Sequence, residues 1–273
     1  MQATKIIFFD LDGTLWSTDG PELRAAWDRL PVAWQKVVGK LPDDFDWKLL
    51  AGSTDAAVVR NLVHLCFPDY SSEYQSKISH EVLKEMNQYY LYHAPDDLTP
   101  ALFPDSRVGL EKLVDDGWTL GIVTGNTRIV GEHKLRAAGL DRLFSSDPQF
   151  QFYGDDAPSR WKNLMQAWEN SLAPCIHNPT IPPLIYVADT YRDYSEMNTA
   201  LAEQSTRFLY LDFRFLVRLN PAMYPHIREI QRDHSSLPYV ETQFFEQVGD
   251  EHFNRVSIRE GKFPWRRSNP ERW

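Results

Sequence analysis

The feature that most constrains this chain is a short apolar run, KIIFF at Lys5–Phe9, that breaks at once onto Asp10, Asp12 and Gly13. A run apolar at successive positions, rather than at every second one, suits a strand covered on both faces, as in a parallel sheet. Similar runs recur at Trp118–Val123 (WTLGIV), Leu184–Val187 (LIYV) and Arg207–Leu211 (RFLYL). Between and after them lie stretches of helical period at Ser106–Asp116, Arg128–Ala138, Pro158–Asn170 and Tyr194–Glu203. Strands alternating with helices of crossover length predict an α/β fold built on a parallel sheet. Gly117 and Gly139 supply stop signals after two of those helices.

One connection is too long for that scheme. The 88 residues from Trp16 to Phe103 read as helical, with helices expected at Leu23–Val38, Asp55–Leu65 and Ser72–Tyr90. A βα loop runs to about 2–6 residues, so this segment predicts a separate helical domain at 16–103, with the core at 1–15 and 104–212. Four prolines between Leu172 and Pro183 predict a surface excursion. Residues 213–273 read as an irregular C-terminal extension. A helix is expected near Ala222–Asp233, strands near Tyr239–Glu246 and Asn254–Arg259, and a basic, aromatic end.

The formal charge of −9, with 29 Lys and Arg against 38 Asp and Glu, opposes a nucleic-acid backbone. It leaves open a small anion held locally by a cation and by backbone N–H groups. The apolar start breaks on Asp10 and Asp12, so neither a signal peptide nor a spanning segment is expected, and a cytoplasmic protein without membrane contact is. Cys66 and Cys175 sit among apolar neighbours and are expected to be buried, inert thiols.

The ends of the predicted strands carry the chemistry. Asp10 and Asp12, two apart where a strand stops, can turn their carboxylates to one side, and Gly13 permits a sharp turn. Like charges so close call for a cation or a shared proton, although Asp-Gly alone can also mark a simple turn. Thr124-Gly125-Asn126 follows WTLGIV and opens a helix, which suits an anion; Asn126 or Thr127 could equally serve as a helix cap. Asp189 and Asp193 follow LIYV, and together they resemble the far half of an oxygen-ligand site for Mg²⁺.

FFDLDGTL, IVTGN and VADTYRD resemble, in order and context, the first, second and fourth motifs of the haloacid dehalogenase superfamily. The resemblance implies a Rossmann-like parallel sheet with helices on both faces and an inserted α-helical cap of the C1 type. Ala51–Asp55 (AGSTD) and HKLRAAGLDRLF after the second motif are similar to phosphoglycolate-phosphatase-like members. It further implies Asp10 as the nucleophile that forms an aspartyl-phosphate and Asp12 as general acid and base. Mg²⁺ would be held by Asp10, the Asp12 backbone carbonyl and Asp189, with Asp193 assisting. Thr124, Gly125 and Asn126 would bind the phosphoryl group.

The third motif departs from the family pattern, which expects a lysine. GDDAPSRWKNL offers Arg160 as the first candidate for the cation beside Asp10, and Lys162 as its substitute. Lys134, on the helix after the second motif, reads as surface. Asp12 argues against carbon–halogen cleavage, which needs no second acid. The implied activity is hydrolysis of a small phosphorylated metabolite, with a phosphomutase or a non-catalytic binding protein as alternatives. Trp16, Ser17, Arg24, Ser53 and Thr54 are candidates for setting substrate choice.

Overall fold

The computed structural model describes residues 5–41, 53–156, 159–160, 162–166, 184–189 and the strand at 213–217. Five parallel strands form one sheet in the order β3-β2-β1-β4-β5, where β1 is Lys5–Phe9, β2 Trp118–Val123, β3 Gln151–Phe152, β4 Leu184–Ala188 and β5 Phe213–Val217. Helices flank it, as the alternating pattern predicts. β1 is central and pairs with both neighbours, Phe8 opposite Gly121 on one side and Phe9 opposite Val187 on the other. The order reverses at β1 and β4, which opens a crevice beyond their carboxyl ends, where ligands settle in such sheets.

The β1 sequence explains its central place. Ile7 and Phe9 enter a core with Leu11, Leu120, Ile122, Leu135, Ile185 and Val187. Phe8, on the other face, is equally buried and meets Phe150 at a ring separation of 6.5 Å. Burying a side chain of this size contributes about 1.5–3 kcal/mol, so a strand apolar on both faces gains most in the middle. Helices α4 (Ser106–Asp115) and α5 (Arg128–Ala137) follow the expected spans to within a residue.

Between β1 and β2 the described chain is helical, with α1 at Arg24–Val37, α2 at Asp55–Cys66 and α3 at Ser72–His93. These helices share a hydrophobic cluster of their own, in which Leu30, Trp34, Val59, Leu62, Val63, Val82 and Met86 are buried. Side-chain caps start two of them: Thr54 Oγ1 accepts from Ala57 N at 3.1 Å and Ser71 Oγ from Tyr74 N at 3.3 Å. The segments entering and leaving the helical unit run side by side, with Ser17 N donating to Ala101 O at 2.9 Å and Phe103 N to Leu15 O at 3.1 Å.

Some expectations meet a different outcome. The sheet takes β5 from Phe213–Val217, past the boundary at 212 drawn for the core, whereas the run at Arg207–Leu211 lies outside the described residues. β3 has no counterpart in the sequence reading. Cys66 is a half-buried thiol packed against the helical cluster rather than a fully buried one, because it closes α2 at the rim of that cluster. Cys175, the proline-rich stretch at 172–183, the helix at 194–203 and the elements proposed beyond 217 lie outside the described residues; of the helix at 158–170, residues 160 and 162–166 are helical. Among the described residues no helix is long and apolar enough to cross a membrane.

Candidate active site

Asp10 continues β1 by one residue, its N–H donating to Val187 O at 2.8 Å. That bond sets Asp10 beside the end of β4, where Asp189 follows Ala188. Gly13, at φ +74°, brings the loop after β1 so close to Asp189 that a Cβ on it would lie 2.0 Å from Asp189 Oδ2. Only glycine combines that backbone angle with that approach. Asp10 and Asp189 are both buried. Two acids that stand 179 positions apart in the sequence therefore flank one turn.

Asp10 accepts on Oδ2 from Arg160 Nη1 at 2.6 Å, while its buried Oδ1 has no hydrogen-bond partner among the described residues. Burial raises the Asp10 carboxyl above its ordinary value; the Arg160 charge opposes this and Asp12 adds to it. Of the two candidates for the third-motif cation, the structure brings Arg160 to Asp10. Lys162 is exposed on the same helical stretch and does not join the cluster, since two positions along a helix turn a side chain to another face. Asp193 lies outside the described residues.

Asp12 does not share its cation with Asp10. Its Oδ1 accepts from Trp16 Nε1 at 2.7 Å and Lys134 Nζ at 2.8 Å, and its Oδ2 from Lys134 Nζ at 2.6 Å and Asn126 Nδ2 at 2.9 Å. Burial pushes this carboxyl up, but the Lys134 charge and the surrounding N–H groups hold it down at about 2. The expectation that Lys134 is a surface residue is thus overturned. It has no exposed area, because it stands four residues after Val130 and beside Leu135 on the buried face of α5. Burial pulls the Lys134 ammonium down while Asp12 opposes that pull.

The loop after β2 is built for close approach. Thr124 is buried and its N–H donates to Phe152 O at 3.1 Å. A Cβ on Gly125 would meet Ser53 O at 2.4 Å and Arg160 Nη2 at 2.9 Å, so this glycine lets both the helical unit and the cation come in. Asn126 Nδ2 also donates to Thr124 Oγ1 at 3.1 Å, and its Oδ1 accepts from Lys134 at 3.0 Å and, more distantly, from Arg29 Nη2 at 3.4 Å. The first N–H groups of α5 are not left for a ligand: Thr127 N donates to Asp55 Oδ2 and Arg128 N to Asp155 Oδ1, each at 3.0 Å. Side chains of the protein therefore take the anion positions at that helix start, and Thr127 caps nothing with its own hydroxyl.

The helical unit contributes Arg29, buried on α1, whose Nη2 pairs with Asp55 Oδ1 at 2.9 Å. Asp55 N donates to Gly125 O at 2.8 Å, which docks the start of α2 on the loop. Of the proposed selectivity residues, Trp16 binds Asp12, Thr54 caps α2 and the exposed Arg24 pairs with Asp28.

A cation fits the Asp10 side of this cluster by the chemistry of its donors. Asp10 Oδ1 is a buried carboxyl oxygen without a hydrogen-bond partner among the described residues, and Asp189 lies across Gly13. Among the described residues no three His, Cys, Asp or Glu side chains gather as a cage, so such an ion would complete its shell with backbone oxygen and water.

An all-parallel sheet with an acid pair at the end of β1, a hydroxyl after β2 and an acid after β4 defines a hydrolase class. The model of haloacid dehalogenase-like hydrolases matches residues 4–177, and the chain belongs to that family. Among solved structures, β-phosphoglucomutase from Clostridium difficile is similar at a TM-score of 0.53 and 13% identity, over 85% of this chain and 99% of that one. CbbY from Rhodobacter sphaeroides, solved with phosphate, is similar at 0.51 and 12%, over 79% and 87%. A predicted phosphoglycolate phosphatase from Haemophilus somnus gives 0.48 and 20%, over 73% and 83%. At these identities the likeness to the first two is one of fold. No curated protein matches.

Proposed function

We propose that the chain is a divalent-metal-dependent phosphatase that hydrolyses a small phosphomonoester through an aspartyl-phosphate on Asp10. The observation that carries this reading is the Asp10 carboxylate, buried at a strand end with one oxygen on Arg160 and the other without a hydrogen-bond partner among the described residues. Family membership supports it.

The steps follow from the side chains. An Asp10 oxygen attacks phosphorus, an O–P bond forms, and the bond from phosphorus to the leaving oxygen breaks. Arg160 steadies Asp10 and the phosphoryl oxygens with N–H groups arranged as a fork. Asp12, a carboxylate in the free chain, takes up a proton from the incoming phosphomonoester's monoanion, gives it to the leaving oxygen, and then takes one from the water that splits the acyl phosphate and frees Asp10. Asp10, the Asp12 carbonyl and Asp189 would hold Mg²⁺, which when bound neutralises phosphoryl charge and aligns attack. Thr124 and the Gly125–Asn126 backbone would receive the phosphoryl oxygens, while the Asn126 amide stays with Asp12. The helical unit, docked through Asp55, would limit water at the site once a substrate fills it.

The test is inorganic phosphate release across a panel of phosphomonoesters with Mg²⁺, using Asp10→Asn as the blank. Release by the wild type alone is expected. Equal release by the variant overturns the reading, and a sugar phosphate isomerised without phosphate release assigns a mutase instead.

A further inference from the structure

Lys134 stands out among the buried ionisable groups, because it is an ammonium with no exposed area. Its three N–H groups face three oxygens: both of Asp12 and the Oδ1 of Asn126. An ammonium has three protons to donate, so none remains for a substrate. Asn126 matters as much as Asp12. An amide can turn over and exchange its oxygen for its nitrogen at little cost unless its neighbours choose between them. Lys134 and Arg29 can only donate, so they hold Oδ1 on their side and direct Nδ2 to Asp12 Oδ2. The Asp12 carboxylate thus meets four N–H contacts from three separate stretches, and Lys134 controls three of them, two directly and one through Asn126.

We propose that Lys134 is a positioning residue that fixes the orientation of Asp12, directly and by setting the Asn126 amide. The proposal rests on the phosphatase reading for its kinetic consequence. Lys134 acts through Asp12 and touches neither substrate nor metal. Its removal lets the carboxylate rotate toward solvent, which it can do because its side chain is 31% exposed. Proton transfer to the leaving oxygen then loses its geometry while binding of the phosphoryl group does not.

Two measurements on the full chain test this, one without turnover and one with it. The Trp16 indole N–H donates to the same Asp12 oxygen as Lys134, so its ¹H–¹⁵N resonance reports the carboxylate. Assigned with Trp16→Phe, it is expected to move in Lys134→Met and in Asp12→Asn; an unmoved resonance in Lys134→Met overturns the proposal. In kinetics, Lys134→Met is expected to lower kcat on alkyl phosphates by about 10–100-fold with KM changed less than about threefold. The loss should shrink on p-nitrophenyl phosphate, whose leaving group needs little help from a proton. Adding Lys134→Met to Asp12→Asn should cost nothing more. Equal losses on both leaving groups, or additive losses in the double variant, overturn the proposal. Should Lys134→Met fail to fold, Lys134→Gln, which keeps two N–H donors but loses the charge, carries the same readouts with a smaller effect. If the wild type releases phosphate from no substrate, the phosphatase reading falls, and the Trp16 resonance alone decides whether Lys134 orients Asp12.

Discussion

At Gly13 a single hydrogen atom separates the loop after β1 from the Asp189 carboxylate. Gly13→Ala is expected to displace Asp189 and to cost about 1–3 kcal/mol through overpacking and an unfavourable φ. Mg²⁺ affinity, read by calorimetry, should fall with it; an unchanged affinity would separate Asp189 from the metal. Asp12 supplies a pH prediction. Its folded value of about 2 lies below the 3.8 of an ordinary carboxyl, so the unfolded chain binds more protons. The stabilisation is complete above about pH 4 and fades as the pH falls through 2. Urea midpoints measured between pH 5 and 2.5 should decline less steeply for Asp12→Asn than for the wild type. Lys134 marks what sequence hides at this scale. A lone lysine within HKLRAAGL reads as solvated, and its partner lies 122 positions away. The only local hint is its place four residues after Val130, on the buried face of the helix.

Helices and strands were legible where their pattern is long or two-sided. β1 and β2 match the sequence reading in full, and α2 and α3 match at their starts, where Thr54 and Ser71 supply caps. Two residues of β3 carry no period to read. β5 lies two residues beyond a run of nearly the same composition, and that run falls outside the described residues. The reading of the site followed the same rule. Asp10, Arg160 and Thr124 sit at strand or helix ends that the pattern locates, whereas Arg29 and Lys134 reach the cluster through packing between helices. Asp55 joins these elements by capping α5 from α2 and by pairing with Arg29. Asp55→Ala leaves that buried guanidinium without its carboxylate, at an expected cost of about 3–5 kcal/mol. Thr54→Ala removes one cap bond and should cost about 1 kcal/mol. Thermal unfolding that ranks the two variants in the opposite order would remove Asp55 from its joining role.

For the molecule as a whole, a bound ion should act as a stabilising ligand. Mg²⁺ at a hundredfold excess over its dissociation constant adds about 2.7 kcal/mol if it binds the folded chain alone. Calorimetric scans should therefore show a Tm raised by Mg²⁺ and lowered again by EDTA in the wild type, with neither change in a chain carrying both Asp10→Asn and Asp189→Asn. A Tm indifferent to the ion would count against a metal in this crevice. The paired linkers carry a separate consequence. Leu15 and Phe103 are already joined by a hydrogen bond where the helical unit departs from the sheet. The chain crosses that border twice at one spot, like a door hung from a single post. A different helical module could therefore be grafted there without re-routing a strand, exchanging the residues that overlook the crevice while leaving the acids at its floor in place.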